Sequence, residues 1–328
     1  MTKLLLLTDA DVSRLVGSAE AVDVVERAFA DFGLGRTDMP PKVYLDFPQQ
    51  RGDLRVMPAA VGDRFAGVKL INSHELNPSR GLPSVIGTYL LFSQETGAPL
   101  CLMAATELTA IRTGAASGVA TRHLARIGSP TLGLVGAGVQ AAYQFEAVAG
   151  ERPINEVAVW GPPDDSARTE AFLAAIRAKH PDVQFRAVES AAEAAAADVV
   201  CTTTPSRQPL FPAGAVRPGT HINAVGADGP GKQELDPGIL QGSLVIVDEM
   251  YQAVHGGEVN VAISAGLFHE DRIACALADV VNGVFPGRVD ENQITIFDST
   301  GLAIQDIAVA ILAYERALEA GAGSTIEL

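Results

Sequence analysis

The chain has 328 residues, with 24 lysines and arginines against 39 aspartates and glutamates, a formal charge of −15. It is longer than the roughly 250–300 residues that one core fills economically. Its 48% apolar and 19% charged residues exclude a disordered chain, and its acidity argues against nucleic acid or an anionic membrane as partner.

In chain order, the run of four leucines before Thr8 is too short for the apolar core of a signal peptide. No stretch approaches the ~20 apolar residues that cross a bilayer. Cys101, Cys201 and Cys275 form no C-x-x-C pair and six histidines lie scattered, so neither a disulfide framework nor a metal site is expected. The chain reads as reduced, soluble and cytoplasmic.

Residues 8–34 predict a helix, with Thr8 and Ser18 as candidate caps and Val22, Val25, Phe29 and Phe32 at helical spacing. Between about 40 and 105, five short apolar runs broken by Gly, Pro and Asp predict a largely antiparallel sheet: Val43–Phe47, Leu54–Pro58, Gly67–Ile71, Val85–Leu91 and Pro99–Met103. Residues 106–126 predict a helix whose small side chains admit a close neighbour. From Thr131 the pattern alternates, with strands predicted at Thr131–Val135, Glu156–Trp160, Gln184–Ala187, Val199–Thr203, His221–Val225 and Ser243–Val247. Helices fall between the earlier strands of this series, which is the signature of a doubly wound parallel sheet. A strand at Gln293–Phe297 and a helix over Leu302–Ala320 end the series. That helix has no place in a nucleotide domain and is expected to return to the first one. The expected fold is α/β: a Rossmann-type domain over 119–301, beside a discontinuous α+β dimerisation and substrate domain over 1–118 completed by 302–328.

Three constellations carry chemistry. Gly136-x-Gly138-x-x-Ala141 lies where a strand gives way to a helix. The first glycine allows the tight turn, the second a close backbone approach to a pyrophosphate, and the helix N-terminus adds partial positive charge. The bland reading is an ordinary glycine turn; the flanking strand, helix and later βαβ units favour a dinucleotide site. The acid expected at the end of the second strand is replaced by Gly161. Asp164 or Asp165 facing a ribose, or Arg168 facing a 2′-phosphate, leaves NAD and NADP both open. Second, Asp228 stands in the glycine-rich run Gly226–Gly231, ahead of Lys232 and directly after a strand. There it reads either as a turn or helix cap or as a general acid/base beside a cofactor. Third, Lys69 interrupts an apolar run and Arg112 sits on a small-residue helix. Each reads as a ligand for an anion or, more blandly, as an edge or surface residue.

Together with Met39–Leu45, Arg80–Ser84, Arg112–Ala115, Gly226–Lys232 and Phe297–Asp306, these stretches resemble the ornithine cyclodeaminase/mu-crystallin family almost from end to end. His255–Asn260 and Asp228–Leu235 look most like its archaeal-type alanine dehydrogenase branch. The resemblance implies a homodimer and a catalytic pair of Lys69 and Asp228. It also implies substrate contacts from Lys42, Lys69, Arg112 and Thr300. Cofactor contacts carry over to Ser84, Arg112, Thr113, Gly136, Gly138, Val139, Gln140, Asn223, Ala224, Val225, Lys232 and Ser299. Lys42 stands near the position where cyclodeaminases carry an arginine, so its grip on a carboxylate is less geometrically defined. The expected reaction is NAD(P)-dependent oxidation of a small L-amino acid, alanine in this branch, to an oxo acid and ammonia. The same site also suits ornithine cyclodeamination or reduction of a cyclic ketimine. A mu-crystallin-like cofactor- and ligand-binding protein is the non-enzymatic alternative.

Overall fold

A computed structural model describes residues 3–328; Met1 and Thr2, the start of the first expected domain, lie outside the described residues. The chain divides into two compact units, one running to Arg112 and resumed by Leu302–Leu328, the other Thr113–Gly301.

The first unit opens with strand β1 (Lys3–Leu7), then helices α1 (Asp9–Leu15) and α2 (Ser18–Gly33). Sequence spacing predicts one helix here, but the chain breaks at Val16 and Gly17. Thr8 caps α1, accepting the Asp11 N–H, whereas Gly17, not Ser18, is the N-cap of α2, its N–H donating to the Glu20 carboxylate at 3.2 Å. Strands β2 (Thr37–Asp38), β3 (Val43–Phe47), β4 (Gly52–Val61), β5 (Phe65–His74), β6 (Val85–Ser93) and β7 (Pro99–Ala104) follow. Helix α3 (Thr106–Leu124) contains the division at Arg112/Thr113, six residues ahead of the boundary expected from sequence.

The second unit contributes β8 (Thr131–Val135), α4 (Val139–Glu151), β9 (Glu156–Trp160), α5 (Ser166–Lys179), β10 (Gln184–Ala187), α6 (Ala191–Ala195), β11 (Val199–Thr202), β12 (Arg207–Phe211), β13 (His221–Ala224) and β14 (Gln233–Leu235). It continues with α7 (Pro237–Gln241), β15 (Ser243–Val247), α8 (Met250–Gly256), α9 (Asn260–Ser264), β16 (Ile273–Ala276), α10 (Leu277–Val281) and β17 (Ile294–Asp298). Eight of these strands form one sheet in the order β10-β9-β8-β11-β13-β17-β15-β16, every pair parallel. The strand order reverses between β8 and β11, the topological switch at which such sheets bind ligands beyond their carboxyl ends. Both faces are covered. Leu132, Leu134, Val157 and Val159 pack with Phe145, Leu173 and Phe185 in one apolar cluster. Val135, Val200, Ile222, Val245 and Ile296 pack with Phe211, Ile239 and Leu240 in another. Each such side chain contributes roughly 1.5–3 kcal/mol through burial. Strands β12 and β14 form a separate small parallel pair.

Helix α11 (Ala303–Ala320) and strand β18 (Ser324–Glu327) belong to the first unit. Its sheet runs β18-β1-β7-β6-β5-β4-β2, with β3 also on β4. All neighbours are antiparallel except β1 and β7. Among the described residues no helix is long and apolar enough to cross a membrane.

Candidate active site

Strand β8 ends at a sharp turn. Gly136 adopts φ 118°, where a side chain would be strained, and its N–H donates to the Trp160 carbonyl at 2.8 Å. Gly138 is the N-cap of α4 and supplies no side-chain cap; the space its Cβ would occupy is open. The helix therefore presents its first amides without a side-chain acceptor. Val139 lies largely exposed at that end, and the Gln140 side-chain oxygen is buried without a hydrogen bond. An open cradle at a helix N-terminus, with an unsatisfied polar atom beside it, suits the diphosphate of a dinucleotide. At Gly161 a Cβ would lie 2.2 Å from the Thr169 hydroxyl, so close packing excludes the acid that commonly ends this strand. Arg168 is exposed and its Nε lies 3.1 Å from Asp165, so part of its charge is already answered within the chain.

The carboxyl ends of the neighbouring strands supply the other expected residues of this unit. Asn223 is fully buried on β13, donating to the Thr121 hydroxyl at 3.1 Å and lying 3.2 Å from His221 Nε2; its side chain is thereby occupied within the core. Ala224 and Val225 are buried beside it, and the Ser299 N–H donates to the Ala224 carbonyl at 2.9 Å. After β13 the loop Gly226–Lys232 carries Asp228, which is paired with Lys232 four residues on; both are partly exposed. The segment leads into strand β14, and the cap of α7 is Asp236, so Asp228 caps no following helix. Thr300 gives its N–H and hydroxyl to Asp248, at 2.7 and 3.0 Å. The Thr113 carbonyl accepts from the Gln144 amide at 3.5 Å.

In the first unit Lys69 lies inward on β5, opposite Met57 of β4 and Tyr89 of β6. It is fully buried, and its Nζ donates to Asp306 Oδ1 of α11 at 2.7 Å; Asp306 too is fully buried. Arg112 Nε lies 2.9 Å from that same oxygen, while its Nη1 donates to Gln305 Oε1 at 2.9 Å. Burial, the Arg112 guanidinium and the half-buried Lys42 pull the Lys69 pKa down, against the opposing pull of Asp306, to about 7. The same burial, with Asp306 nearby, raises the Tyr89 phenol well above its usual range. Lys69 and Arg112 thus share one carboxylate oxygen of Asp306. Asp306 Oδ2 and Gln305 Nε2 are buried without hydrogen bonds. Ser84 is exposed just ahead of β6, its carbonyl accepting the His74 N–H at 2.8 Å. Among the described residues no His, Cys, Asp and Glu side chains group as a metal site.

Sequence reasoning missed Asp306 and Gln305, although both lie inside or beside a stretch it used. The available signal was an acid among Ile304, Ile307 and Ile311 on an apolar helix face, where a charge must find a partner. It also missed four fully buried acids of the second unit: Glu234, Asp248, Glu258 and Asp298.

The sequence model of the ornithine cyclodeaminase/mu-crystallin family matches residues 2–321. An alanine dehydrogenase of Archaeoglobus fulgidus is 46% identical over 323 residues, 98% of each chain. A solved archaeal alanine dehydrogenase dimer with bound NAD superposes with TM-score 0.94 at 45% identity, covering 99% of both chains. Thermococcus litoralis Δ1-pyrroline-2-carboxylate reductase, solved with NADH and L-proline, gives TM-score 0.94 at 37% identity over 98% of this chain and 100% of its own.

Proposed function

The chain belongs to the ornithine cyclodeaminase/mu-crystallin family, and on that premise we propose that it is an NAD-dependent oxidoreductase acting on the α-amino group of a small L-amino acid. The reaction assigned is that of alanine with water and NAD, giving pyruvate, ammonia and NADH. The observation that carries this reading is Lys69: a wholly buried amine, held by Asp306 beside Arg112, with a pKa near 7 that lets it exchange a proton at neutral pH.

The residues that would hold NAD are the Gly136 turn, Gly138, Val139 and Gln140 at the head of α4, with Thr113, Lys232, Ser299, the backbone of 223–225, Ser84 and Arg112. Bound there, NAD would supply a hydride acceptor for the substrate α-carbon. Lys69, Arg112 and Lys42 answer the substrate carboxylate and fix its orientation, an effect of positioning more than of chemistry, with Thr300 as a further contact. Asp228 takes a proton from the substrate ammonium or from the water that adds to the imine carbon, and in the second case returns it to the amine that leaves as ammonia. Lys69, poised near neutrality, shares that proton traffic. Loss of ammonia leaves the oxo acid.

A second reading is supported by the likeness to the pyrroline-carboxylate reductase: the same residues would bind the carboxylate of a cyclic ketimine, with the hydride moving the other way. In the ornithine version the terminal amine of the substrate replaces water. Incubating the protein with alanine, ornithine or a cyclic ketimine and either cofactor, with ammonia and NADH measured separately, decides among them. Alanine oxidation yields both products in equal amounts, cyclodeamination yields ammonia alone, and ketimine reduction consumes NADH. Cofactor retention without turnover would mark a binding protein and overturn the enzymatic reading.

The first unit serves in this reading as substrate and dimerisation unit, the second as the dinucleotide unit. A homodimer is supported by exposed apolar side chains on β3, β5 and β6 (Val43, Tyr44, Leu45, Leu70, Val85 and Ile86) and by the dimeric archaeal structure. Sedimentation of the Leu70→Glu variant tests it: the dimer should dissociate.

A further inference from the structure

The acids absent from the proposed chemistry form a connected series. Asp298, the last residue of β17, accepts the N–H of Glu258 at 2.9 Å and that of Val259 at 3.2 Å, one on each oxygen. Glu258 in turn accepts the N–H of Leu235 on Oε1 at 2.7 Å and that of Glu234 on both oxygens, at 3.0 and 3.1 Å. Glu234 accepts the N–H of Thr204 at 2.6 Å on one oxygen and of Gly226 at 2.9 Å on the other. Gly226 opens the loop that carries Asp228. The far side of that loop is tied by Asn260, which accepts the Gly231 N–H at 3.0 Å and donates to the Lys232 carbonyl at 2.9 Å.

Two glycines make room for this series. A Cβ at Gly257 would lie 2.5 Å from the Asp298 carboxylate, and one at Gly226 would lie 2.5 Å from that of Glu234. All three acids are fully buried, where an unpaired carboxylate is costly. Asp298 and Glu258 are each answered by the backbone amides of the next acid and of the residue after it, Glu234 by those of Thr204 and Gly226. The stretches His255–Asn260 and Asp228–Leu235 contain most of these contacts.

The geometry points to Asp298, Glu258 and Glu234 as positioning residues that set the Asp228 loop, each fixing the backbone that presents the next. This rests on the proposed role of Asp228. The series starts at a strand end and finishes at Gly226, so a change at Asp298 is felt at a loop that Asp298 does not touch. The oxygens also rank the substitutions. Glu234 and Asp298 use both oxygens separately, so Glu234→Gln and Asp298→Asn each turn an amide N–H₂ against a backbone N–H. Glu258 takes Leu235 on Oε1 and shares the Glu234 N–H between its two oxygens. Glu258→Gln with its carbonyl in the Oε1 place therefore keeps both neighbours and loses only the longer branch of a shared bond, whereas Glu258→Ala keeps neither.

Hydrogen exchange of the intact protein tests this without requiring turnover. Exchange across 226–235 should rise at least about tenfold in Glu234→Gln, Asp298→Asn and Glu258→Ala, with the strands β8 and β11 still protected, and Glu258→Gln should match the parent. With the active substrate, kcat should fall by about ten- to a hundredfold in the three loosened variants while KM stays within about twofold. Unchanged exchange at 226–235 in Glu234→Gln and Asp298→Asn, or exchange rising equally throughout the second unit, would overturn the proposal. So would Glu258→Gln behaving like Glu258→Ala. If one substitution prevents folding, the Glu258 pair decides alone. If the parent turns over no amino acid or ketimine, the proposed function fails while exchange still judges the series.

Discussion

Two buried charged clusters sit in this chain, one in each unit, and they solve opposite problems. Around Lys69, burial first and the Arg112 guanidinium second drive the amine toward neutrality, at about 7. In the Asp298–Glu258–Glu234 series all the side chains are acids, and burial pushes their carboxyls upward, with repulsion from Glu234 and Asp298 adding at Glu258. The first cluster keeps unsatisfied atoms in reserve, Asp306 Oδ2 and Gln305 Nε2. The second spends its oxygens on backbone amides. A cluster built to receive something differs from one built to hold something, and the difference lies in its leftover valences more than in its charge.

The two also respond to pH with opposite sign. Between about 7 and 10.5 the unfolded chain carries a proton on Lys69 that the folded chain has lost, so this residue makes stability rise with pH. For Glu258 the raised carboxyl keeps a proton in the folded chain that the unfolded chain loses above 4.5, so stability falls as pH climbs from there.

The largest expected effect comes from breaking the receiving cluster. Lys69→Met should cost about 10²–10⁴-fold in kcat. In paired melts its stability should decline relative to the parent as pH is raised from 7 to 10, because only the parent gains from losing that proton. Asp228→Asn should lower kcat by about 10²-fold while NADH binding, followed by fluorescence, is kept; unchanged turnover would remove Asp228 from the catalytic pair. Asp306→Asn sharpens the comparison. It deletes the group that holds the Lys69 pKa up, so the lysine limb of the pH–rate profile should move to more acid values by roughly 1–3 units. The smallest effect is expected in the holding cluster. Glu258→Gln should change stability at pH 7 by less than about 1 kcal/mol, since its carboxyl is already pushed well above the ordinary range. Its stability should then exceed that of the parent increasingly as the buffer is made more alkaline.

What the sequence disclosed follows from where anomalies are visible. A lysine in an apolar run and an aspartate among glycines stand out by composition, and both can be read from the sequence as candidates. The parallel strands were readable as short apolar blocks because both faces are buried. Strand β1 was not, since its leucines were weighed only as a leader peptide, and β18 is exposed along its whole length and carries no alternation to detect. The break between α1 and α2 depends on Val16 ending one helix and Gly17 starting the next within an unbroken apolar period. Asp306 went unnoticed because its partner lies 237 positions away. The buried acids were hidden for a related reason: their partners are backbone amides, which leave no mark on residue identity.

The late arrival of Asp306 has a consequence for biosynthesis. Lys69 emerges from the ribosome long before the helix that neutralises it, with the whole of Thr113–Gly301 translated in between. The half that begins the polypeptide is therefore the half finished last. During elongation its inner lysine must remain hydrated, and only when Ala303–Ala320 docks can that region close around its ammonium.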